Sequence, residues 1–187
     1  MPLQYPVLYR SMDARQDAIV ANAVATAVAD AEKLWSPERF DGPFPKNGFG
    51  IAKLRALEFG LADSANSYAS PYSAMWAYSQ ATASAWATWI SATLSTDCYV
   101  VITGFFNLDA SPDVECVKFI ADGIEYPIID LTEMDGWDIA TAYFSHPIIV
   151  RPTKKIVIKV KARTVGLKFF GLLGYVVAKR SYLINEV

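Results

Sequence analysis

In the stretch KKIVIKVKA, positions 154–162, apolar and basic residues alternate: Ile156, Ile158 and Val160 interleave with Lys155, Lys159 and Lys161. A helix turns about 100° per residue and would scatter these side chains around its axis. A strand places the lysines on one face and the branched apolar residues on the other. This segment therefore belongs to a sheet with one dry and one wet face.

The surrounding sequence supplies partners for it. From position 98 onward, CYVVITGFFNL reads as a buried strand, DASPD as a turn, and VECVKFI as the strand returning from that turn. ADG (121–123) makes a tight hairpin turn into IEYPIIDL. ATAYF, PIIV, KKIVIKVKART and LKFFGLLGYVVAKR follow, and Gly171 and Gly174 mark a bulge or bend in the last. Turn-separated strands without helices between them predict a mainly β chain folded as an antiparallel β-sandwich or barrel, and exclude a parallel sheet with helical crossovers.

The N-terminal part is different. SMDARQDAIVANAVATAVADAEKLW (11–35) predicts a helix, with Ser11 as its cap and Asp13 in its first turn. Val20, Val24, Val28, Ala31 and Trp35 fall on one narrow stripe at helical spacing. Its small side chains permit close approach, either to the chain's own sheet or to another copy, and Val20, Val24, Val28 and Trp35 are the expected partner contacts. SPERFDGPFPKNGFG, with three prolines and three glycines, is a connector. The expected division is an N-terminal helical arm and linker over 1–49 and a β-sandwich domain over 50–187. Positions 51–94 fit a strand or a helix: over 51–73 Leu54, Leu57, Glu58 and Leu61 suit a short helix, but a strand with Lys53 and Arg55 outward is favoured.

Charged residues make up only 19% of the 187 positions while 53% are hydrophobic, against roughly 25% charged in ordinary soluble proteins. Such a chain is expected to hide surface in a partner. No apolar run reaches the length of a bilayer span and the first residues lack a signal-type core, so a soluble protein made in the cytosol, without membrane contact, is expected. A net charge of −2 argues against a nucleic-acid binder. Ten acids and one base lie between Asp97 and Asp138, and nine bases and one acid follow. Either neighbouring strands of one sandwich carry complementary charge, or the acidic edge of one subunit meets the basic edge of another.

Catalytic patterns are not expected. His146 is the single histidine, and no serine carries a nucleophile-elbow signature. Cys98 and Cys116 are read as small hydrophobes without a disulfide. Asp130, Glu133, Asp135 and Asp138 group in one loop, read as solvated before it is read as a calcium site. No enzyme activity, cofactor or metal is assigned. Trp76, Trp86, Trp89 and Trp137 are candidate glycan contacts if their faces are exposed, since an aromatic face can stack on a sugar ring.

The succession PDVECVKFIADGIEYPI, YFSHPIIVRPTKKIVIKVKA and GLLGYVVAKR, about half the chain, resembles the jelly-roll sandwiches of virus and phage structural proteins, especially capsid decoration and coat proteins. The resemblance implies a virion protein made in the host cytoplasm that decorates or builds a shell. Its expected partners are itself, as a homo-oligomer and most simply a trimer, and a major capsid protein or other virion proteins. The alternative it leaves is a glycan-binding module.

Overall fold

A computed structural model describes residues 8–9, 13–35, 48–59, 76–107, 113–132 and 141–185. Among them the chain is mainly β, with two antiparallel sheets packed face to face and an N-terminal helix. The strands are β1 (Leu8–Tyr9), β2 (Phe49–Lys53), β3 (Ala77–Gln80), β4 (Trp86–Thr93), β5 (Cys98–Asn107) and β6 (Val114–Ala121). Two short strands, β7 (Ile124–Glu125) and β8 (Ile129–Asp130), precede the long β9 (Thr141–Val150), β10 (Lys155–Ala162) and β11 (Gly166–Lys179). The first sheet runs β1-β9-β5-β11-β2 with β3 also on β11, and the second runs β4-β10-β6-β7 with β8 also on β6. From β4 to β6 and again from β9 to β11, each successive strand lies in the opposite sheet.

Alternation sets what each strand buries. On β10, Ile156, Ile158 and Val160 are fully buried while the interleaved lysines stay at the surface, as the sequence pattern requires. The inward faces interlock through aromatic rings. Trp89 of the second sheet meets Phe170 of the first at 4.4 Å between centroids, and Phe119 meets Phe144 at 5.7 Å. Such edge-to-face pairs contribute about 1 kcal/mol each beyond the area they bury.

Helix α1 (Ala14–Trp35) is a third layer. Asp13 caps it: its Oδ1 accepts from the amides of Arg15 and Gln16, and Gln16 Oε1 accepts from the Asp13 amide in return. Ser11, the expected cap, lies outside the described residues. The buried stripe is Gln16, Val20, Ala23, Ala27, Ala31 and Trp35, one step round from the expected valine stripe. Ala27 and Ala31 are fully buried against Tyr99, Val101 and Val177 on the outer face of the first sheet. Alanines win this face because the sheet already carries large side chains, so close approach needs a thin helix. Trp35 closes the C-terminal end, with Tyr99 at 5.6 Å and Phe49 at 6.2 Å between centroids and the Lys179 ammonium 5.8 Å from its ring. Of the two packings its small side chains permit, the helix takes the one on the chain's own sheet, and β1 pairs with β9.

Other expectations are corrected by pairing. β5 and β6 do not pair as a hairpin, because β5 lies in the first sheet and β6 in the second, and most of DASPD lies outside the described residues. ATAYF and PIIV form one strand, β9, and LKFFGLLGYVVAKR is β11 as far as Lys179, followed by a short helix α2 (Arg180–Asn185). The ADG turn is as read: Asp122 and Gly123 both take positive φ, 51° and 76°, which matches a two-residue hairpin turn. The strand expected from position 51 ends at Lys53. A 3-10 turn over Ala56–Phe59 replaces it, where the buried Glu58 carboxylate accepts from the amide and guanidinium of Arg55.

Candidate binding surface

The helix does not cover the whole outer face. Beside it, toward β2, runs a groove of about 620 Å³ lined by Val24, Val28, Ile51 and Tyr175, with Asp17 and Glu32 at its rim. Its origin is geometric. Register pairs Val177 with Ile51 and Tyr175 with Lys53. These side chains share the outer face, and the alanine stripe draws α1 over Val177 and Val101 and away from β2. Ile51 is left 53% exposed and Tyr175 37% exposed, while Val24 and Val28 are half-buried. Val20 and Trp35 are buried within the chain itself, so of the four expected partner contacts only Val24 and Val28 face the groove without being closed over.

A second cavity, of about 320 Å³, adjoins the groove and shares Val20 and Tyr175 with it. It sits over a defect in the first sheet. Against β11 the register of β5 shifts between Ile102 and Gly104, leaving Thr103 as an extra residue; against β9 it jumps from Ile148 to Tyr143 across the same point. Gly174 and Gly104 make the close approach here possible, since a Cβ on either would strike the carbonyl oxygen of Val101 or Ala142. Gly174 thus marks the bulge expected from the sequence. Thr103 lines the cavity and is 4% exposed, on the same face as Val101 and Phe106.

The tryptophans divide. Trp76 and Trp89 are 8% and 6% exposed and pack against each other at 5.8 Å in the core. Neither ring is exposed at the outer surface, and Trp76 also lines the second cavity. Trp86, on β4, is 42% exposed beside Lys161 of β10. Trp137 lies outside the described residues, as do Glu133, Asp135 and Asp138. The remaining member of that acidic group, Asp130, uses its carboxylate locally: the Thr132 hydroxyl and amide donate to it at 2.6 and 2.9 Å and hold its pKa below the usual value. Among the described residues no three His, Cys, Asp or Glu side chains gather in metal-ligating fashion. Cys98 and Cys116 are unbridged. His146 is exposed in the irregular part of β9, its Nδ1 3.0 Å from Ser145 Oγ.

The uneven charge is used inside the chain. Lys154 and Arg151 approach Asp122 at 3.0 and 3.9 Å, Lys179 pairs with Asp97 at 3.1 Å, and Lys118 pairs with Glu125. Arg163 and Lys161 lie 3.5 and 3.3 Å from the two oxygens of Glu115, the lysine without hydrogen-bond alignment. Partly exposed pairs like these, open to solvent screening, contribute about 0–1 kcal/mol each. They join neighbouring strands within the chain, and the groove is a place where exposed apolar side chains, Ile51 and Tyr175, adjoin one another. Among the described residues no helix is long and apolar enough to cross a membrane. No protein-family model, curated protein or solved structure matches this chain.

Proposed function

We propose that this chain is a structural subunit of a particle, of the capsid decoration or minor coat kind, that assembles with further copies of itself through the face carrying α1 and β2. The observation that carries this reading is the groove. Contiguous apolar side chains at a sheet edge are costly in water, and their burial at roughly 25 cal/mol per Å² is the usual source of association energy. The strand order supports the jelly-roll form of the sandwich. β11 is inserted between β2 and β5, and β10 between β4 and β6, so late strands interleave with early ones across two sheets, as two wound Greek keys demand. The within-chain ion pairs give charge a secondary part in assembly, which rests on apolar contact.

Light scattering after size exclusion tests this. The parent is expected to run as a closed oligomer, a trimer in the simplest case, whereas Ile51→Asp and Tyr175→Asp are expected to yield the 20.6 kDa monomer with an unchanged far-ultraviolet spectrum. A parent that is monomeric at micromolar concentration in both low and high salt would refute the assembly. Co-sedimentation with capsids then separates a shell role from self-assembly alone.

A further inference from the structure

We infer that the cavity over Thr103 is a binding site for a small monocarboxylate with an apolar body, a medium-chain or aryl alkanoic acid. This goes beyond the assembly reading and does not depend on it.

Four side chains with polar ends, Lys53, Thr103, Tyr143 and Tyr175, line the cavity among otherwise apolar residues. Thr103 is almost wholly buried as a residue, on a face whose neighbours on the strand, Tyr99, Val101 and Phe106, are apolar or aromatic, and it lines the cavity. A ligand acceptor placed in the cavity would take a hydrogen bond from the Thr103 hydroxyl. Tyr143, half-buried, contributes a second hydroxyl from β9. Lys53, exposed at the end of β2, lines the same cavity and makes no ion pair among the described residues. Three hydroxyls and an ammonium in one lining are donors suited to a carboxylate, whose oxygens accept charge-assisted hydrogen bonds. Trp76 and Phe106, edge to face at 6.4 Å, wall the apolar part. The sheet is interrupted at Thr103 in both of its ladders, so the hole is built into the backbone register and does not arise from a side chain that happens to be small. About 320 Å³ is room for about ten waters, the bulk of octanoate or 3-phenylpropanoate. An apolar cavity with a few converging polar groups is the usual form of a small-molecule site.

Isothermal titration of the full chain with sodium octanoate is the test, with octan-1-ol as the uncharged probe. Saturable octanoate binding is expected, weakened about tenfold in Thr103→Val and about tenfold in Lys53→Met, the worth of one charge-assisted contact. Thr103→Ser, which keeps the hydroxyl, is expected to bind like the parent and guards against a folding defect in the valine variant. Octan-1-ol is expected to respond to Thr103→Val and not to Lys53→Met. Ile51→Asp, which alters the groove and does not line the cavity, is expected to leave octanoate binding unchanged whatever it does to assembly. No saturable heat with the parent, parent-like affinity in either Thr103→Val or Lys53→Met, or loss of binding in Ile51→Asp would overturn the assignment.

Discussion

Lys168 of β11 and Asp113 at the foot of β6 form an ion pair that joins the two sheets, with both side chains largely buried at 9% and 14% exposure. The Thr164 hydroxyl donates to the same Asp113 oxygen at 2.6 Å and accepts from Lys168 at 2.7 Å. Burial pushes the Asp113 carboxyl up, but its bonds to Lys168 and Thr164 outweigh that and hold its pKa below the ordinary 3.8.

A depressed carboxylate pKa stabilises the fold above the unfolded value and loses that contribution as pH falls through the folded one. Acid unfolding is therefore expected to draw on this pair below about pH 4. Asp113→Asn is expected to cost about 3 kcal/mol at neutral pH, because it strands a buried ammonium. Asp113→Leu combined with Lys168→Met is expected to recover most of that loss. Urea melts at pH 7 and pH 3 check both: a single variant as stable as the parent would show that the clamp contributes nothing.

Gly171 has no room for a side chain. A Cβ there would run into the Trp76 and Phe106 rings, so both would have to move aside. Gly171→Ala is expected to lower stability by about 1–3 kcal/mol through overpacking. The melting temperature measures it, and an unchanged value would mean that the rings shift freely.

The β-sandwich was legible because Lys155 to Lys161 alternate, and α1 because its alanines and valines do not. Which sheet each strand joins was not legible. DASPD has the composition of a hairpin turn, yet β6 leaves for the other sheet, and turn chemistry says nothing of where the next strand pairs. The unbroken apolar run from Tyr99 to Ile102 carried a signal that was available, since a strand covered on both faces shows no alternation. It announced that something lies on the outer face, and α1 does. Thr103, the polar interruption of that run, was the one mark of the cavity. Ile51 and Tyr175 carried no such mark, because the groove depends on where the helix comes to rest.

That resting place is set by the fully buried Ala27. Ala27→Leu would hold α1 off Tyr99 and Val101, at an expected cost of about 1–3 kcal/mol. Ala18→Leu, on a side chain exposed to solvent and outside the groove, is expected to change stability by less than about 0.5 kcal/mol. Chemical denaturation of the pair decides whether the helix is a true layer. Equal stabilities would mean that it packs loosely.

Tyr99 lies under the same helix, and its pKa is raised above 10, first by burial and then by the Asp30 carboxylate, with Arg151 opposing. Burial also raises Tyr78, and burial with Asp122 raises Tyr126. In each case the unfolded chain ionises its phenol at lower pH than the folded one does. Stability from these groups is fully present below the unfolded value and is lost as pH rises through the folded values. The protein is therefore expected to keep its stability to about pH 10 and to lose it steeply above. Tyr99→Phe removes one of these ionisable groups and keeps the ring that packs on Trp35 at 5.6 Å. Its alkaline limb is expected to be shallower than the parent's while the neutral-pH stability stays close. Thermal melts across the alkaline range, read beside a spectrophotometric phenol titration, check this. Phenols that all titrate normally before unfolding would show that Tyr99 is reached by solvent and that α1 does not seal the face beneath it.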